Sequence, residues 1–249
     1  VNLLKEKSVS KVIDDLIVSF PDIKDKIIKT NISPICISLP RGTSIQRENL
    51  FLDGIIEVQD EGSQILSYLV NPKRGSMIAD FCAGAGGKTL AISAMMKNTG
   101  RLYAFDVSDK RLANLKKRLK RSGASNITPH KIMHENDTKI KRLREKFDKV
   151  LVDAPCTGLG TLRRNPDLKW KHSLDSLDEL NIKQKLIINA ASRLCKVGGH
   201  LVYGTCSLLD QENEVVVENF LLENKNFRLL PPNSILSKYD IKLEANMYI

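Results

Sequence analysis

The 249-residue sequence has few of the features typical of membrane, secreted or metal-binding proteins. It contains no apolar run near the roughly 18 residues that a membrane span needs, and its N-terminal VNLLKEKSVS lacks the apolar core of a signal peptide. The five cysteines are odd in number and widely spaced, unlike a secreted disulfide framework. His130 and His134 lie close in sequence but have no third ligand nearby. We therefore expect no membrane, no metal and a reducing, cytoplasmic setting.

Aromatic residues are scarce at 5%, with a single tryptophan, whereas positive charge is in excess. The formal net charge is +10 and the sequence pI is about 9.3. Excess positive charge favours a polyanionic partner, because neutralising phosphates releases condensed counterions. Two basic stretches, near residues 110–121 and 139–144, are interpreted as solvated helix faces. Charge alone leaves open whether the partner is a nucleic acid.

Strand and helix patterns alternate from about Ile55 onward. The apolar runs predict strands at Met77–Phe81, Arg101–Asp106, Asn126–His130, Lys149–Asp153, His200–Thr205 and Phe227–Leu230. Helices are predicted at Lys88–Lys97, Asp109–Arg121, Lys139–Glu145, Leu177–Cys195 and Gln211–Glu223. This alternation indicates an α/β fold with a parallel sheet covered on both faces over residues 53–249. Residues 1–52, with one strand-like stretch at Pro34–Leu39, predict a small N-terminal α+β lobe.

A glycine-rich turn, DFCAGAGGKT at residues 80–89, follows the first of these strands. Small residues let backbone amides approach a ligand at a helix N-terminus. The turn departs from a P-loop because Cys82 stands where the first glycine belongs, and from the dinucleotide pattern because Thr89 replaces the third glycine. Asp106 ends the next strand, about 20 residues on, where a carboxylate can bind ribose hydroxyls. The pattern favours a nucleoside without a phosphate, such as S-adenosylmethionine.

Two cysteines follow the ends of two further strands. Cys156 comes directly after the strand KVLVD, in Asp153-Ala154-Pro155-Cys156, and Cys206 comes directly after the strand HLVYGT. Ligands bind outside the carboxyl ends of the strands in an open parallel sheet. If the fourth and fifth strands are neighbours, the two thiols are expected within about 10 Å of each other.

Methylation of carbon 5 of cytosine explains these residue types. A thiolate that adds to carbon 6 makes carbon 5 enamine-like, so that it can attack a sulfonium methyl group. The proton on carbon 5 must then leave and the thiol must be expelled. The reaction needs a nucleophile, a general acid or base, and a carboxylate at the N3/N4 edge of the ring. Asp153 is the candidate for that carboxylate, and the base must leave its stack to enter the site.

The stretch DAPCTGLGTLRRNPDLKW at residues 153–170 resembles the Sun/RsmB family of RNA cytosine-C5 methyltransferases. DFCAGAGGKT, Asp106 with Arg111, and YGTCSLLDQENE also match the family pattern, and the resemblance covers about residues 50–230. It implies a Rossmann-like, doubly wound, mostly parallel sheet of the class I S-adenosylmethionine-dependent methyltransferases. One departure is that Gly84 and Ala85 replace the usual Ala-Pro, which loosens the turn.

The resemblance also implies roles for individual residues. Cys206 would be the nucleophile, and Cys156 would assist release of the methylated RNA. Contacts with S-adenosylmethionine are implied for Cys82, Ala83, Gly84, Ala85, Gly86, Gly87, Lys88, Asp106, Arg111, Asp137 and Asp153, of which Asp137 matches most loosely. The resemblance also implies that the lobe of residues 1–52 is part of a small RNA-contacting domain, and that a final strand hairpin would follow residue 249.

The expected substrate is small-subunit ribosomal RNA, with transfer RNA as the alternative, and the protein is expected to be a monomer. Arg163, Arg164, Asn165 and Lys169 follow the Cys156 loop and are the candidate RNA contacts. Trp170 either stacks on a base or anchors packing. Three alternatives remain: a P-loop ATPase, a non-catalytic RNA-binding module, and a DNA cytosine methyltransferase with Cys156 as its nucleophile.

Overall fold

The computed structural model describes residues 1–171 and 173–242. A five-stranded parallel sheet lies between two layers of helices, and a two-stranded antiparallel sheet lies in the N-terminal segment. The strands are β1 (Ile28–Lys29), β2 (Ile37–Ser38), β3 (Met77–Asp80), β4 (Arg101–Asp106), β5 (Ile127–Lys131), β6 (Phe147–Asp153) and β7 (Cys195–Gly204). The helices are α1 (Val9–Ser19), α2 (Asn49–Leu52), α3 (Glu61–Leu69), α4 (Gly87–Met95), α5 (Asp109–Ser122), α6 (Thr138–Lys141), α7 (Leu174–Ser192), α8 (Glu214–Glu223) and α9 (Asn233–Leu236).

The sheet has the order β5-β4-β3-β6-β7, with the direction of winding reversed between β3 and β6. Successive side chains of its central strands point to opposite faces and enter two separate apolar clusters. Ile78 and Leu151 pack in one cluster, while Ala79, Val150 and Val152 pack in the other. Burial on both faces explains why these strands read as continuous apolar runs, and it confirms the predicted α/β architecture.

Helix α5 illustrates how local sequence sets an element's bounds. Ser108 caps its start by accepting a hydrogen bond from the backbone N–H of Arg111. Leu112 and Leu115 lie on its buried face, and Gly123 ends it in the left-handed conformation with φ of 76°. Most of the other charged side chains of the helix are exposed, as its amphipathic pattern predicts, whereas Arg118 and Arg121 are half-buried.

Some predicted boundaries were wrong. The helix predicted to end at Cys195 ends at Ser192, because the polypeptide turns there and β7 begins pairing with β6 at Cys195. The strand predicted at Phe227–Leu230 is irregular backbone; Phe227 instead packs its ring against Phe220, with centroids 5.2 Å apart. Helix α6 is shorter than the predicted Lys139–Glu145, since it stops at Lys141.

The N-terminal segment has its own small apolar cluster. Val12 and Leu16 of α1 pack there with Ile27, Ile45 and Ile56. The domain boundary at residue 52 stays a prediction, since this cluster extends slightly beyond it, and residues 243–249 of the predicted larger domain lie outside the described residues.

The segment is joined to the sheet domain by hydrogen bonds. Asn2 Nδ2 donates to the carbonyls of Gly54 and Ser122 at 2.8 and 2.9 Å. Ser33 Oγ donates to Gln64 Oε1 of α3 at 2.7 Å.

Across the described ranges, no helix combines the length and apolar character needed to cross a membrane.

Candidate active site

Three aspartates converge at the carboxyl ends of neighbouring strands. Asp80 ends β3, Asp106 ends β4 and Asp153 ends β6. These strands are adjacent and parallel, so their carboxyl ends meet at one edge of the sheet, where the winding direction reverses. Open α/β sheets bind their ligands at such a point.

The glycine-rich turn connects β3 to α4 across this edge. The N–H of Gly84 donates to Asp106 Oδ2 at 2.8 Å, and Gly84 itself has a φ of +57°. Gly86, with a φ of +85°, caps α4 from the left-handed region. A Cβ at position 86 would lie 2.1 Å from Leu115 Cδ1, so both the backbone conformation and the contact require glycine there. At Gly84 a Cβ would meet nothing within 4 Å, so that side of the turn is open to a ligand.

Asp106 stabilises this turn through hydrogen bonds. Its side chain is nearly buried, and its Oδ1 accepts a hydrogen bond from the Ser108 N–H at 2.8 Å while Oδ2 holds Gly84. Arg111 lies at the rim, with its Nη1 3.9 Å from Asp106 Oδ2. Asp137 instead caps α6, because its carboxylate accepts the backbone N–H groups of Lys139 and Met133 at 2.9 Å each. Those hydrogen bonds lower the pKa of Asp137.

Asp80 is a site residue that the sequence reasoning did not single out. It is 1% exposed, and its Oδ2 accepts a hydrogen bond from Thr89 Oγ1 at 2.7 Å. Its Oδ1 has no hydrogen-bond partner among the described residues. Burial raises the pKa of Asp80 to about 7. Its position as the first residue of DFCAGAGGKT, at a strand end like Asp106, was the signal that could have identified it.

Lys88 and Asp153 form an ion pair beside the turn. Lys88, in the first turn of α4, places its Nζ 2.6 Å from Asp153 Oδ2. Both side chains are partly shielded from water, so their attraction is screened less than that of a surface pair. This pair brings the predicted cofactor turn into contact with the predicted Asp-Ala-Pro-Cys motif.

The two cysteines of the strand ends meet. Cys156 Sγ and Cys206 Sγ lie 3.3 Å apart, within hydrogen-bond distance for sulfur, because β6 and β7 are neighbours. The hydrogen bond from the Cys156 thiol lowers the pKa of Cys206 to about 7 and raises the pKa of Cys156. Cys206 is the more exposed of the two thiols, so burial penalises its ionised form less. Burial raises the pKa of the third nearby thiol, Cys82, which keeps it protonated.

Two further glycines, also not singled out from the sequence, fit closely around Cys206. The N–H of Gly160 donates to the Cys206 carbonyl at 2.8 Å, and a Cβ at position 160 would lie 2.8 Å from the same oxygen. Gly158 has a φ of +74°, and a Cβ there would be 3.9 Å from Cys206 Sγ. The TGLG stretch within DAPCTGLGTLRR was the sequence signal for this close approach.

The predicted RNA-contacting residues lie on exposed backbone after the Cys156 loop, at residues 163–169. Arg164 pairs with Asp60, and the carbonyl of Arg163 accepts a hydrogen bond from Arg41 Nη2 at 2.6 Å. Asn165 Nδ2 donates to Thr161 Oγ1 at 3.1 Å.

Lys169 Nζ lies 4.9 Å from the centroid of the neighbouring Trp170 ring. Trp170 is 80% exposed, so it does not anchor packing. An exposed indole beside cationic side chains is a surface on which a nucleobase can stack.

The basic helix α5 is not wholly a solvated face, contrary to the prediction. Arg118 Nη1 donates to the Ala85 carbonyl of the glycine-rich turn at 2.9 Å, and Arg118 Nε lies 3.2 Å from Glu57 Oε2. Arg121 contacts the same Glu57 oxygen at 2.5 Å. Arg118 therefore links the turn to the segment that precedes α3, and Arg121 makes a second contact with that segment.

In the described part of the chain, no group of three or more His, Cys, Asp or Glu side chains is arranged to hold a metal ion.

The reversed strand order, the glycine turn and the strand-end carboxylates define a class I methyltransferase fold.

Comparison with known proteins agrees. The model of the 16S rRNA methyltransferase RsmB/F family matches residues 67–247, and the chain belongs to this family. Membership argues against the P-loop ATPase alternative.

Individual relatives and structures support the assignment. The chain is 38% identical over 183 residues to the probable ribosomal RNA small subunit methyltransferase B of Synechocystis, a match that covers 73% of this chain and 40% of that protein. A methyltransferase homologue from Pyrococcus horikoshii superimposes with a TM-score of 0.75 at 32% identity, covering 90% of this chain and 68% of that one. NSun6 from Pyrococcus horikoshii, solved with SFG, gives a TM-score of 0.68 at 32% identity, covering 76% of this chain and 48% of that one. The chain spans less than half the length of the curated relatives it matches.

Proposed function

We propose that this chain transfers a methyl group from S-adenosylmethionine to carbon 5 of a cytosine in RNA, with Cys206 as the transient covalent nucleophile. The observation that carries the proposal is the pair of thiols 3.3 Å apart at the ends of β6 and β7. The pair lies at the same sheet edge as the Lys88–Asp153 ion pair and the glycine turn. Membership in the RsmB/F family supports the methyltransferase class.

The polar groups at this edge of the sheet are suited to binding S-adenosylmethionine. The molecule carries a positively charged ammonium and sulfonium, and the site offers three strand-end aspartates, one of which, Asp80, has a buried oxygen without a partner among the described residues. The turn offers open space at Gly84 and backbone N–H groups at the start of α4. The structural neighbour NSun6 was solved with SFG, an analogue of S-adenosylmethionine, which supports the same ligand class here. When bound, the cofactor supplies an electrophilic methyl group.

We assign the cofactor to the turn Cys82, Ala83, Gly84, Ala85, Gly86, Gly87 and Lys88, with Asp106, Arg111, Asp137 and Asp153 around it. Asp106 serves in two ways in this assignment, because it already holds the turn through the Gly84 N–H. Asp137 is the weakest member, since both of its oxygens already accept hydrogen bonds from the backbone around the start of α6.

The protein's own groups divide the remaining chemistry. Cys206 is about half thiolate at pH 7, because the Cys156 thiol donates a hydrogen bond to it and lowers its pKa to about 7. The Cys206 sulfur forms a bond to carbon 6, and the electron pair of the ring's double bond becomes available at carbon 5. Asp153, oriented by Lys88, faces the N3/N4 edge of the base and stabilises charge there. After methylation a base takes the proton from carbon 5, the electron pair of that bond re-forms the double bond to carbon 6, and the Cys206 sulfur leaves as a thiolate, with Cys156 assisting release.

The net charge of the chain and the names of its relatives support a substrate class. The net charge of +10 and the exposed residues Arg163, Arg164, Asn165 and Lys169 favour a phosphate backbone. The relatives are named as small-subunit ribosomal RNA methyltransferases, so we propose ribosomal RNA, with transfer RNA as the second candidate. A DNA cytosine methyltransferase would use Cys156 as nucleophile. The greater exposure and lower pKa of Cys206 favour the RNA assignment.

Two single variants test the division of roles. Cys206→Ala should abolish methyl transfer and keep S-adenosylmethionine binding, because the nucleophile alone is lost. Cys156→Ala should form the bond to RNA and stall afterwards, giving a covalent protein–RNA band on a denaturing gel. Normal turnover in Cys206→Ala would refute the proposed nucleophile, and a covalent band in Cys206→Ala instead would move that role to Cys156.

A further inference from the structure

A buried carboxylate, Glu212, holds together the segments that carry the two cysteines. Glu212 is 0% exposed and lies in the short 3-10 turn Asp210–Glu212 after the Cys206 loop. Its Oε1 accepts the N–H of Thr157, the residue after Cys156, at 2.9 Å. Its Oε2 accepts the Thr157 hydroxyl at 2.5 Å. One carboxylate thus binds the neighbour of Cys156 twice.

Two more side chains complete the arrangement. Gln184 of α7, itself fully buried, donates from Nε2 to Glu212 Oε1 at 2.9 Å and to the Pro155 carbonyl at 3.0 Å. Ser207, the residue after Cys206, has its Oγ 3.1 Å from Thr157 Oγ1. We call Glu212, Thr157, Gln184 and Ser207 the thiol clamp. The clamp includes or contacts both sequence neighbours of Cys156, Pro155 and Thr157, and it includes Ser207, the residue after Cys206.

The thiol clamp is centred on the carboxylate of Glu212, which is buried. A buried carboxylate without a cation is expensive unless several donors satisfy it. Burial by itself would raise the pKa of Glu212, but the hydrogen bonds that its carboxylate accepts, among them those from Thr157 and Gln184, outweigh burial and lower that pKa. An ionised carboxylate is acceptor-only, so it fixes the direction of every donor around it. This rigidity matters because a sulfur–sulfur hydrogen bond is lost when the two loops separate by about 1 Å.

We propose that Glu212 is a positioning residue that sets the distance between the Cys156 and Cys206 thiols and so keeps the Cys206 nucleophile activated. The role in methyl transfer rests on the proposed function, whereas the effect on the two thiols can be measured without RNA. Glu212 touches no reacting atom; it acts through Thr157 and Ser207.

The test uses Glu212→Gln in the full chain, which keeps the shape of the side chain but turns one acceptor into a donor. Glu218→Gln, the same change on the exposed face of α8, is the matched control. Three quantities are measured: the pH midpoint of Cys206 alkylation by iodoacetamide, the rate at which diamide links Cys156 to Cys206, and the dissociation constant for S-adenosylmethionine. Alkylated and linked peptides are identified by mass spectrometry.

We expect Glu212→Gln to raise the alkylation midpoint by about one pH unit or more and to slow disulfide formation about tenfold, since thiolate fraction and approach both fall. Cofactor affinity should change less than about twofold, because none of the clamp's side-chain hydrogen bonds is to a residue of the glycine turn. Thr157→Val, which removes one hydroxyl, should give a smaller shift in the same direction, and Thr157→Ser should lie closer to the native protein.

The outcomes separate the two proposals. A folded Glu212→Gln with an unchanged midpoint and linking rate overturns the positioning role, even if its melting temperature falls. Should Glu212→Gln not fold, the Thr157→Val and Thr157→Ser pair decides by the same readouts. Shifted thiol chemistry without any methyl transfer by the native chain would keep the positioning role and reject the proposed function.

Discussion

Replacing Cys156 by alanine removes the hydrogen bond that activates Cys206, so the structure predicts a loss of reactivity in a residue that is left untouched. The bond from Cys156 is the largest cause that lowers the pKa of Cys206 to about 7, against an ordinary value of 9.0. Burial acts in the opposite direction. In Cys156→Ala the pKa of Cys206 should therefore return to 9.0 or above.

The size of the effect follows from the thiolate fraction. At pH 7 that fraction falls from about one half to about one hundredth, roughly a 50-fold decrease. The more basic thiolate is the better nucleophile, by up to about tenfold for a Brønsted slope near 0.5, so alkylation at pH 7 should slow at least about fivefold. At pH 9.5 the native protein and the variant should react at similar rates within about a factor of ten.

The assay measures alkylation of Cys206 by iodoacetamide from about pH 5 to 10, resolved by peptide mass spectrometry. Cys36→Ala, a change in a buried cysteine of the N-terminal segment, is the control and should leave the midpoint near 7. A midpoint that stays near 7 in Cys156→Ala would refute the sulfur–sulfur activation and leave Lys88 as the nearest alternative cause. The same experiment bears on catalysis, since the covalent RNA adduct of this variant should form faster at high pH.

Two other predictions concern stability and substrate contact. Because folding raises the pKa of Asp80 from 3.8 to about 7, its contribution is fully present below pH 3.8 and is lost as pH rises towards 7. The free energy of unfolding of Asp80→Asn, measured in urea relative to the native protein, should therefore rise by up to about 3 kcal/mol from pH 5 to pH 8. The same difference between variant and native protein at pH 5 and at pH 8 would count against a buried neutral carboxyl. Trp170 is the chain's single tryptophan and 80% exposed, so its fluorescence should be quenched by ribosomal RNA but not by heparin, which offers charge without bases. Trp170→Ala should weaken RNA binding by about 1–3 kcal/mol and Trp170→Phe by less, whereas equal affinities would exclude stacking.

The central sheet was predictable because its signals are local and repeated. Apolar runs of four to seven residues, each followed by a helix pattern, gave β3, β4, β6 and the order of elements around them. The meeting of Cys156 and Cys206 followed from one further assumption, that the fourth and fifth strands of the sheet are neighbours. Family resemblance supplied the distinct roles of the two thiols, which residue types alone left open.

The features that sequence reasoning missed depend on partners far away in the chain. Glu212 reads as one acidic residue among several in DQENE, and its burial appears only once Thr157 and Gln184 lie beside it. Arg118 reads as one of many exposed cations, yet it contacts the Ala85 carbonyl. The strand predicted at Phe227–Leu230 failed for a related reason: Phe227 packs against Phe220 of α8, Leu229 and Leu230 are exposed, and the segment pairs with no strand.

The most direct test of the account is transfer of a labelled methyl group from S-adenosylmethionine to unmodified ribosomal RNA, transfer RNA and DNA. Each product is digested to nucleosides and the labelled nucleoside is identified, with Cys206→Ala run in parallel. The account predicts labelled 5-methylcytidine from ribosomal RNA with the native chain and none with the variant. Label in a different nucleoside, or in DNA alone, or undiminished label with Cys206→Ala, would contradict it.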